Sequence, residues 1–193
     1  KNEIENFDHV VIATHADEAF LLLEDPSPRE KYLLSSWKYT RNQAVLHNDY
    51  NLMPKRKRVW SSWNFIANGK PDRDEKVCLT YWMNRLQNIP ESKPLFVTLN
   101  PGEVIMDEAI ISEHEYTHPY FDTNALESQK NLWDIQGINR TWFCGSYFGY
   151  GFHEDGLQSG LAVAEQLGGL SRPWNTVDEN DRIIVKSPNQ VAA

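Results

Sequence analysis

Cysteine is nearly absent. Cys78 and Cys144 are the only two in 193 residues, and they lie far apart in sequence. That spacing excludes a disulfide framework, a CxxC redox pair and a cysteine-rich metal cluster. Cys144 follows Trp142 and Phe143 in an apolar stretch and reads as a buried, inert thiol. Positive charge is also scarce: 19 Lys and Arg stand against 27 Asp and Glu, a net charge of −8. Such a balance argues against non-specific nucleic-acid binding, which needs basic surface. The one basic run, residues 55–58 (Lys-Arg-Lys-Arg), reads as a solvated turn, with a local anion site or targeting patch as the alternative. No apolar run approaches the roughly 18 residues of a membrane-spanning helix, and no signal-peptide pattern is present. The expectation is a cytoplasmic protein with no transmembrane segment, peripheral membrane attachment being left open. One further absence bears on function. No GxGxxG follows an early strand, so half of a dinucleotide-binding site is missing.

What is present is a core and many rings. Hydrophobic residues make up 40% of the chain and aromatics 12%, with seven Trp and eight Tyr. That composition suits a packed interior, with an aromatic-lined pocket as the sharper alternative. The length corresponds to one large domain or two small ones.

Residues 7–14 hold the unbroken apolar run Val10, Val11, Ile12 and Ala13. A run that does not alternate predicts a strand covered on both faces, as in a parallel sheet. A short helix is expected over 16–23, ended by Asp25-Pro26. Ser27, Pro28 and Glu30 then supply N-cap, N1 proline and N3 glutamate for a helix through Trp37. The middle changes character. Residues 42–48, 59–65, 77–82 and 94–99 are short and rich in Val, Trp, Tyr and Thr, with turn formers at 68–71 and 100–102, which predicts an antiparallel sheet. A helix is expected over 124–135, stopped by Gly137, and a second buried strand over 141–144. Beyond residue 171 the pattern reads as loop, with a possible late strand at 183–185. The fold class expected is therefore mixed α/β: Rossmann-like material at 1–38 and again at 121–170, an antiparallel-sheet substrate domain at 39–120, and a tail at 171–193. Partner strands for the two ends would come from sequence upstream.

Residues 141–167 are the most informative stretch. Gly145, Gly149, Gly151, Gly156 and Gly160 fall within sixteen positions, directly after a strand. Glycine permits a tight turn and close approach of backbone to a ligand. Leu157, Leu161, Ala164 and Leu167 then recur at helical spacing, and Gly168-Gly169 end the helix. Asp155 is placed to be its N-cap. Unpaired N–H groups around residues 155–157 would face a bound, electron-rich group. An ordinary glycine loop before a surface helix fits the same pattern.

The segments FDHVVIATHADEA, LHNDYNLMP, VWSSWNF, HPYFDTNA and FCGSYFGYGFHEDGLQSGLAVAE resemble the carboxy-terminal half of predicted NAD/FAD-binding flavoproteins of the amine oxidase/phytoene desaturase superfamily. The resemblance runs from Phe7 to about Leu167 and is most specific in GYGFHEDG. It implies an FAD-binding domain interrupted by an antiparallel-sheet substrate domain. It also implies FAD as cofactor of the complete protein and a missing amino-terminal FAD-binding part as partner. By position, Ala13 and Thr14 match the small-residue end of a strand near the adenosine side. Gly145 and Ser146 match the pair reaching the pyrophosphate and ribityl chain, Ser146 standing where many relatives carry an acid. Glu154, Asp155, Gly156 and Leu157 match the flavin-proximal helix start. The activity implied is hydride transfer from an unidentified, largely apolar small-molecule substrate to flavin, carried out by the complete protein rather than this chain alone. Trp60, Trp63, Tyr81, Trp82 and His153 are candidate pocket walls. No catalytic base is identifiable.

Two competing functions are a non-catalytic binding or structural lobe and a zinc hydrolase. The second rests on His114-Glu115-Tyr116-Thr117-His118, which matches HExxH. Pro119 directly follows and pushes His118 away from helical geometry, so no metal site is expected. His118 resembles instead the packing or hydrogen-bonding histidine of the family's His-Pro segment. His47 and Asp49 share a face if extended, as a polar strand end or a pocket pair.

Overall fold

The computed structural model describes residues 4–66, 78–102, 105–177 and 180–186. The chain divides into two compact units, one built from residues 1–39 and 119–193 and the other from 40–118.

The first unit holds a two-stranded parallel sheet of β1 (Val10–Ile12) and β7 (Thr141–Phe143), with Val10 opposite Thr141 and Ile12 opposite Phe143. Helices α1 (Ala16–Leu22), α2 (Pro28–Ser35), α4 (Thr123–Gln129) and α5 (His153–Gly168) belong to the same unit. The start of α2 follows the sequence closely. Ser27 accepts the Glu30 N–H at 3.2 Å, and Glu30 accepts the Ser27 N–H at 2.8 Å. Leu33, Leu34 and Trp37 are buried with Ile12, Ala125, Leu132, Trp133, Phe143 and Ile183 in one core.

The edge of β7 is finished by a side chain. The Gln136 amide donates to the Phe143 carbonyl at 2.6 Å and accepts the Phe143 N–H at 2.8 Å. The Gly137 N–H also donates to the Thr141 carbonyl at 2.9 Å. A primary amide presents one donor and one acceptor side by side, as a strand residue does.

The second unit is a five-stranded antiparallel sheet in the order β3-β4-β5-β2-β6. Its strands are β2 (Lys38–His47), β3 (Trp63–Ile66), β4 (Cys78–Trp82), β5 (Phe96–Leu99) and β6 (Ile110–Tyr120), with a short α3 (Met83–Leu86) after β4. The chain passes between the units within β2 and β6. Val45, Leu52, Ile105 and Ala109 form the unit's apolar cluster.

Several expectations need correction. The apolar run of β1 is not covered on both faces: Val10 and Val11 remain 46% and 45% exposed, because β7 is the only strand beside it among the described residues. The strand expected over 59–65 starts four residues late, since Lys57–Val59 turn as a 3₁₀ helix and the Trp60 N–H bonds to the Lys57 carbonyl. The helix expected over 124–135 breaks after Gln129 and resumes as a 3₁₀ turn, Leu132–Ile135. Residues 183–185 form no strand; Ile183 is buried in the core instead. The 11-residue β6 was not expected at all. The turn expected at 68–71 lies outside the described residues.

Candidate functional site

The glycine turn is braced from within the first unit. The Ser159 hydroxyl accepts the Gly145 N–H at 3.0 Å and lies 3.1 Å from the carbonyl oxygens of Gly145 and Gly156. From α4, the Gln129 amide donates to the carbonyls of Tyr147 at 2.9 Å and Gly149 at 2.6 Å. The end of β1 meets the end of β7 here, for a methyl group placed on Gly145 would lie 3.3 Å from the Thr14 carbonyl oxygen. Ala13 and Thr14 are exposed, and Gly145 and Ser146 half-buried. Burial pushes the Cys144 thiol upward in pKa, which keeps it protonated and inert.

Its glycines divide into two kinds. A Cβ on Gly145 would sit 2.6 Å from the Tyr147 ring, one on Gly149 would meet the Asp155 carboxylate and the Arg182 carbonyl, and one on Gly151 would sit 3.1 Å from the Phe121 ring. Internal packing therefore requires these three. Gly156 and Gly160 are different. A Cβ on Gly156 would meet only the Ser146 nitrogen, 3.8 Å away, and one on Gly160 nothing within 4 Å. Glycine inside a helix costs about 0.5–1 kcal/mol relative to alanine, and nothing within the described residues calls for it at either position.

Asp155 is not the N-cap. Phe152 is, and Asp155 occupies the third helical position, reaching back to accept the Phe152 N–H at 2.7 Å. Its carboxylate is fully buried and paired with Arg182 Nε at 2.7 Å. Nor are the N–H groups of Asp155 and Gly156 free, as both donate to the Phe152 carbonyl. Glu154 is exposed and accepts from Gln158 Nε2 at 3.1 Å, while His153 and Leu157 are exposed. Tyr147, whose ring lies against Gly145, is buried, and its hydroxyl has no partner among the described residues.

The face of α5 turned inward is also not the leucine stripe. Asp155, Gln158, Ser159, Ala162 and Val163 are buried, whereas Leu157 is 56% exposed and Ala164 is exposed. Polar residues win the inner face because each finds a partner there: Ser159 the Gly145 backbone, Asp155 the Arg182 guanidinium, and Gln158 the Arg182 N–H at 3.3 Å. The opposite face carries Leu157, Gly160 and Ala164 on successive turns.

In the second unit the four candidate wall residues divide between the two faces of the sheet. Trp63 pairs with Tyr81, which pairs with Val97 and through it with Leu46. The adjacent row on that face is Phe65, Leu79, Leu99 and Ala44. Trp82 pairs with Phe96 and so points the other way. There Trp60 meets Trp82 edge-on at 5.2 Å and Phe96 at 5.9 Å. Trp63 and Tyr81 therefore share an apolar face, while Trp60 and Trp82 belong to an aromatic cluster behind it.

His47 and Asp49 are both buried and serve the fold. The Asp49 N–H donates to His47 Nδ1 at 3.2 Å, which leaves the proton on Nε2 to reach Thr98 Oγ1 at 2.8 Å; Thr80 Oγ1 follows at 2.8 Å. Burial lowers the His47 pKa, with Asp49 opposing the shift. His114, Glu115 and His118 lie in β6. Four positions along a strand span roughly 13 Å, too far for two histidines to ligate one ion. His118 Nδ1 lies 3.0 Å from Asn42 Nδ2.

Gln129, Ser159 and Arg182 brace the turn and the start of α5, Gln136 finishes β7, and sequence reading missed all four. Apart from the Ser159–Gly156 contact, these bonds reach 7 to 27 positions along the chain, so no local pattern marks them. No protein-family model matches the chain, and no curated protein sequence matches it.

Proposed function

We propose that this chain forms part of an FAD-dependent oxidoreductase whose first unit contributes to a Rossmann-like FAD-binding domain. The observation carrying the reading is the half-buried Gly156, where an added Cβ would meet only the Ser146 nitrogen at 3.8 Å, after the carboxyl end of one of two parallel strands. Open α/β sheets bind ligands outside the carboxyl ends of their strands. Glycines kept in a helix without an internal reason fit close approach by a flat or phosphorylated group. Asp155 is turned inward and neutralised by Arg182, whereas Glu154 stays exposed in the first turn of α5, so the contact this site offers is close backbone approach rather than a positive helix end. Thr14, Gly145, Ser146 and Gly156 would hold FAD, with Leu157 and His153 at its border.

When bound, FAD supplies the hydride- or electron-accepting ring. The chain's own contribution is to orient that ring through close backbone approach at Gly145, Ser146 and Gly156. The Trp63–Tyr81 face, apolar across four strands, suits a largely apolar small-molecule substrate. β1 supports a larger sheet. The Cys144 N–H donates to Ile12, so the N–H and C=O of Val11 face away from β7, with no backbone partner among the described residues. Parallel sheets are stable when both faces are covered, which favours a second α/β lobe beside β1.

A non-catalytic structural lobe is the second reading. It is favoured by Gly149 and Gly151, which internal contacts already explain. Titration of FAD with this chain and with a polypeptide extended by an amino-terminal FAD-binding lobe, following flavin absorbance and fluorescence, separates the two. Saturable binding that Gly156→Val weakens at least tenfold supports the flavin reading. Absence of binding by both polypeptides supports the structural lobe.

A further inference from the structure

The basic run lies on a closed loop. Trp60 Nε1 donates to the Pro54 carbonyl at 2.6 Å, tying together the two ends of the segment that carries Lys55, Arg56, Lys57 and Arg58. The Trp60 ring anchors this loop against Tyr50, Trp82 and Phe96, with centroids 5.2–5.9 Å away. Arg85, from α3, donates to the Trp60 carbonyl at 3.3 Å and adds a fifth cation beside the loop. All five cationic side chains are exposed. Lys57 pairs with Glu91 at 2.7 Å; Lys55, Arg56 and Arg58 have no ion-pair partner among the described residues. Apolar side chains are interleaved with these charges. Val59 is 60% exposed at the loop's end, and Leu86, next to Arg85, is 51% exposed.

We propose that this surface docks the protein on an anionic lipid bilayer. Charge complementarity selects the partner, and the exposed apolar side chains select lipid over a soluble polyanion. Cations on a fixed loop meet lipid headgroups, while Val59 and Leu86 enter the headgroup–acyl boundary as the apolar side of an interfacial segment does. Each Lys or Arg near an anionic bilayer strengthens attachment roughly five-fold. The patch acts locally, because salt screens the chain's overall net charge of −8 beyond about 8 Å. The inference stands apart from the flavin reading, since every residue in it belongs to the second unit.

The test is co-sedimentation of the purified full chain with phosphatidylcholine vesicles, with or without phosphatidylserine at about a third of the lipid. Binding is expected on the anionic vesicles and not on the neutral ones. The double variant Arg56→Glu, Arg58→Glu should lower it at least tenfold, with an unchanged circular dichroism spectrum. Lys31→Glu, an exposed reversal elsewhere, should leave it intact. Val59→Ser, which removes the apolar side chain without adding charge, should weaken vesicle binding while leaving retention on heparin unchanged. No binding to anionic vesicles at low salt, or binding indifferent to the double reversal, overturns the proposal. So does binding that Val59→Ser leaves unaltered, which would assign the patch to a soluble polyanion.

Discussion

Arg182 Nε lies 2.7 Å from Asp155 Oδ1, across 27 positions of chain, and its guanidinium rests over the rings of Tyr150 at 5.1 Å and Phe152 at 5.7 Å. This pair fastens residues 180–186 to the start of α5. The same segment buries Ile183, accepts from Gln166 at the Lys186 carbonyl and places Lys186 Nζ 2.5 Å from Asp134.

Removing Arg182 leaves a buried carboxylate without its partner, which costs more than the intact pair contributes. Arg182→Ala should lower the Tm by several degrees. Asp155→Asn, which keeps an acceptor for the Phe152 N–H, should lower it less. The Asp155→Asn, Arg182→Ala double variant should be more stable than Arg182→Ala alone. A thermal melt of the four proteins checks the ordering, and additive losses would show that the two residues act separately.

The two kinds of glycine predict opposite signs. Gly160→Ala and Gly156→Ala should each stabilise the chain by about 0.5–1 kcal/mol, the usual gain from removing a helical glycine. Gly149→Ala should destabilise it, because the new methyl would displace the Asp155 carboxylate or the Arg182 backbone. Urea midpoints at constant m-value provide the measurement. If FAD binds as proposed, Gly156→Ala should raise stability and weaken flavin binding together, a pairing that a purely structural glycine would not produce.

Acid should weaken the second unit through His47. Its folded-state pKa lies below the ordinary 6.5 because of burial. As pH falls through 6.5 the unfolded chain takes up a proton that the folded chain refuses, so stability declines until the folded-state pKa is passed. His47→Gln should flatten that part of the stability profile. Glu165 acts in a lower window. Hydrogen bonds from Arg172 hold its pKa at about 2, from 4.5, so its stabilisation is present above pH 4.5 and is lost as pH falls towards 2. Tryptophan fluorescence across a urea series at several pH values would resolve the two windows.

Gln136→Ala should cost about 2–6 kcal/mol, since it strands a buried donor and a buried acceptor on Phe143, each worth roughly 1–3 kcal/mol when unmet. Gln136→Glu keeps the acceptor but sets a buried carboxylate oxygen against the Phe143 carbonyl, so at neutral pH it should cost at least as much. Chemical denaturation measures both. A cost below about 0.5 kcal/mol would mean that water replaces the amide.

Legibility from sequence followed the range of the forces involved. The start of α2 was readable because Ser27, Pro28 and Glu30 act within one turn. The order of β7, glycine turn and α5 was readable because small residues follow an apolar run. β6 was not, because Glu113, His114, Glu115 and Tyr116 stay exposed and show no alternation of burial. The inner face of α5 was misjudged for a related reason. Gln158 and Ser159 look like surface residues until the Gly145 and Arg182 backbones are placed beside them. At the candidate site, Thr14, Gly145, Ser146 and Gly156 were named from sequence and lie near one another, whereas the clamps that hold them came from remote positions. Tyr81 and Trp82 could not be sorted by composition, since adjacent strand residues face opposite ways whatever their chemistry.

The amide of Gln136 also bears on the order of events in folding. β1 must reach β7 across about 130 residues, a slow closure by any account of loop entropy. Gln136 and Gly137, however, meet Phe143 and Thr141 within seven positions. β7 can therefore be straightened by its own neighbourhood before its true partner arrives. The distant strand then docks onto a template already laid down.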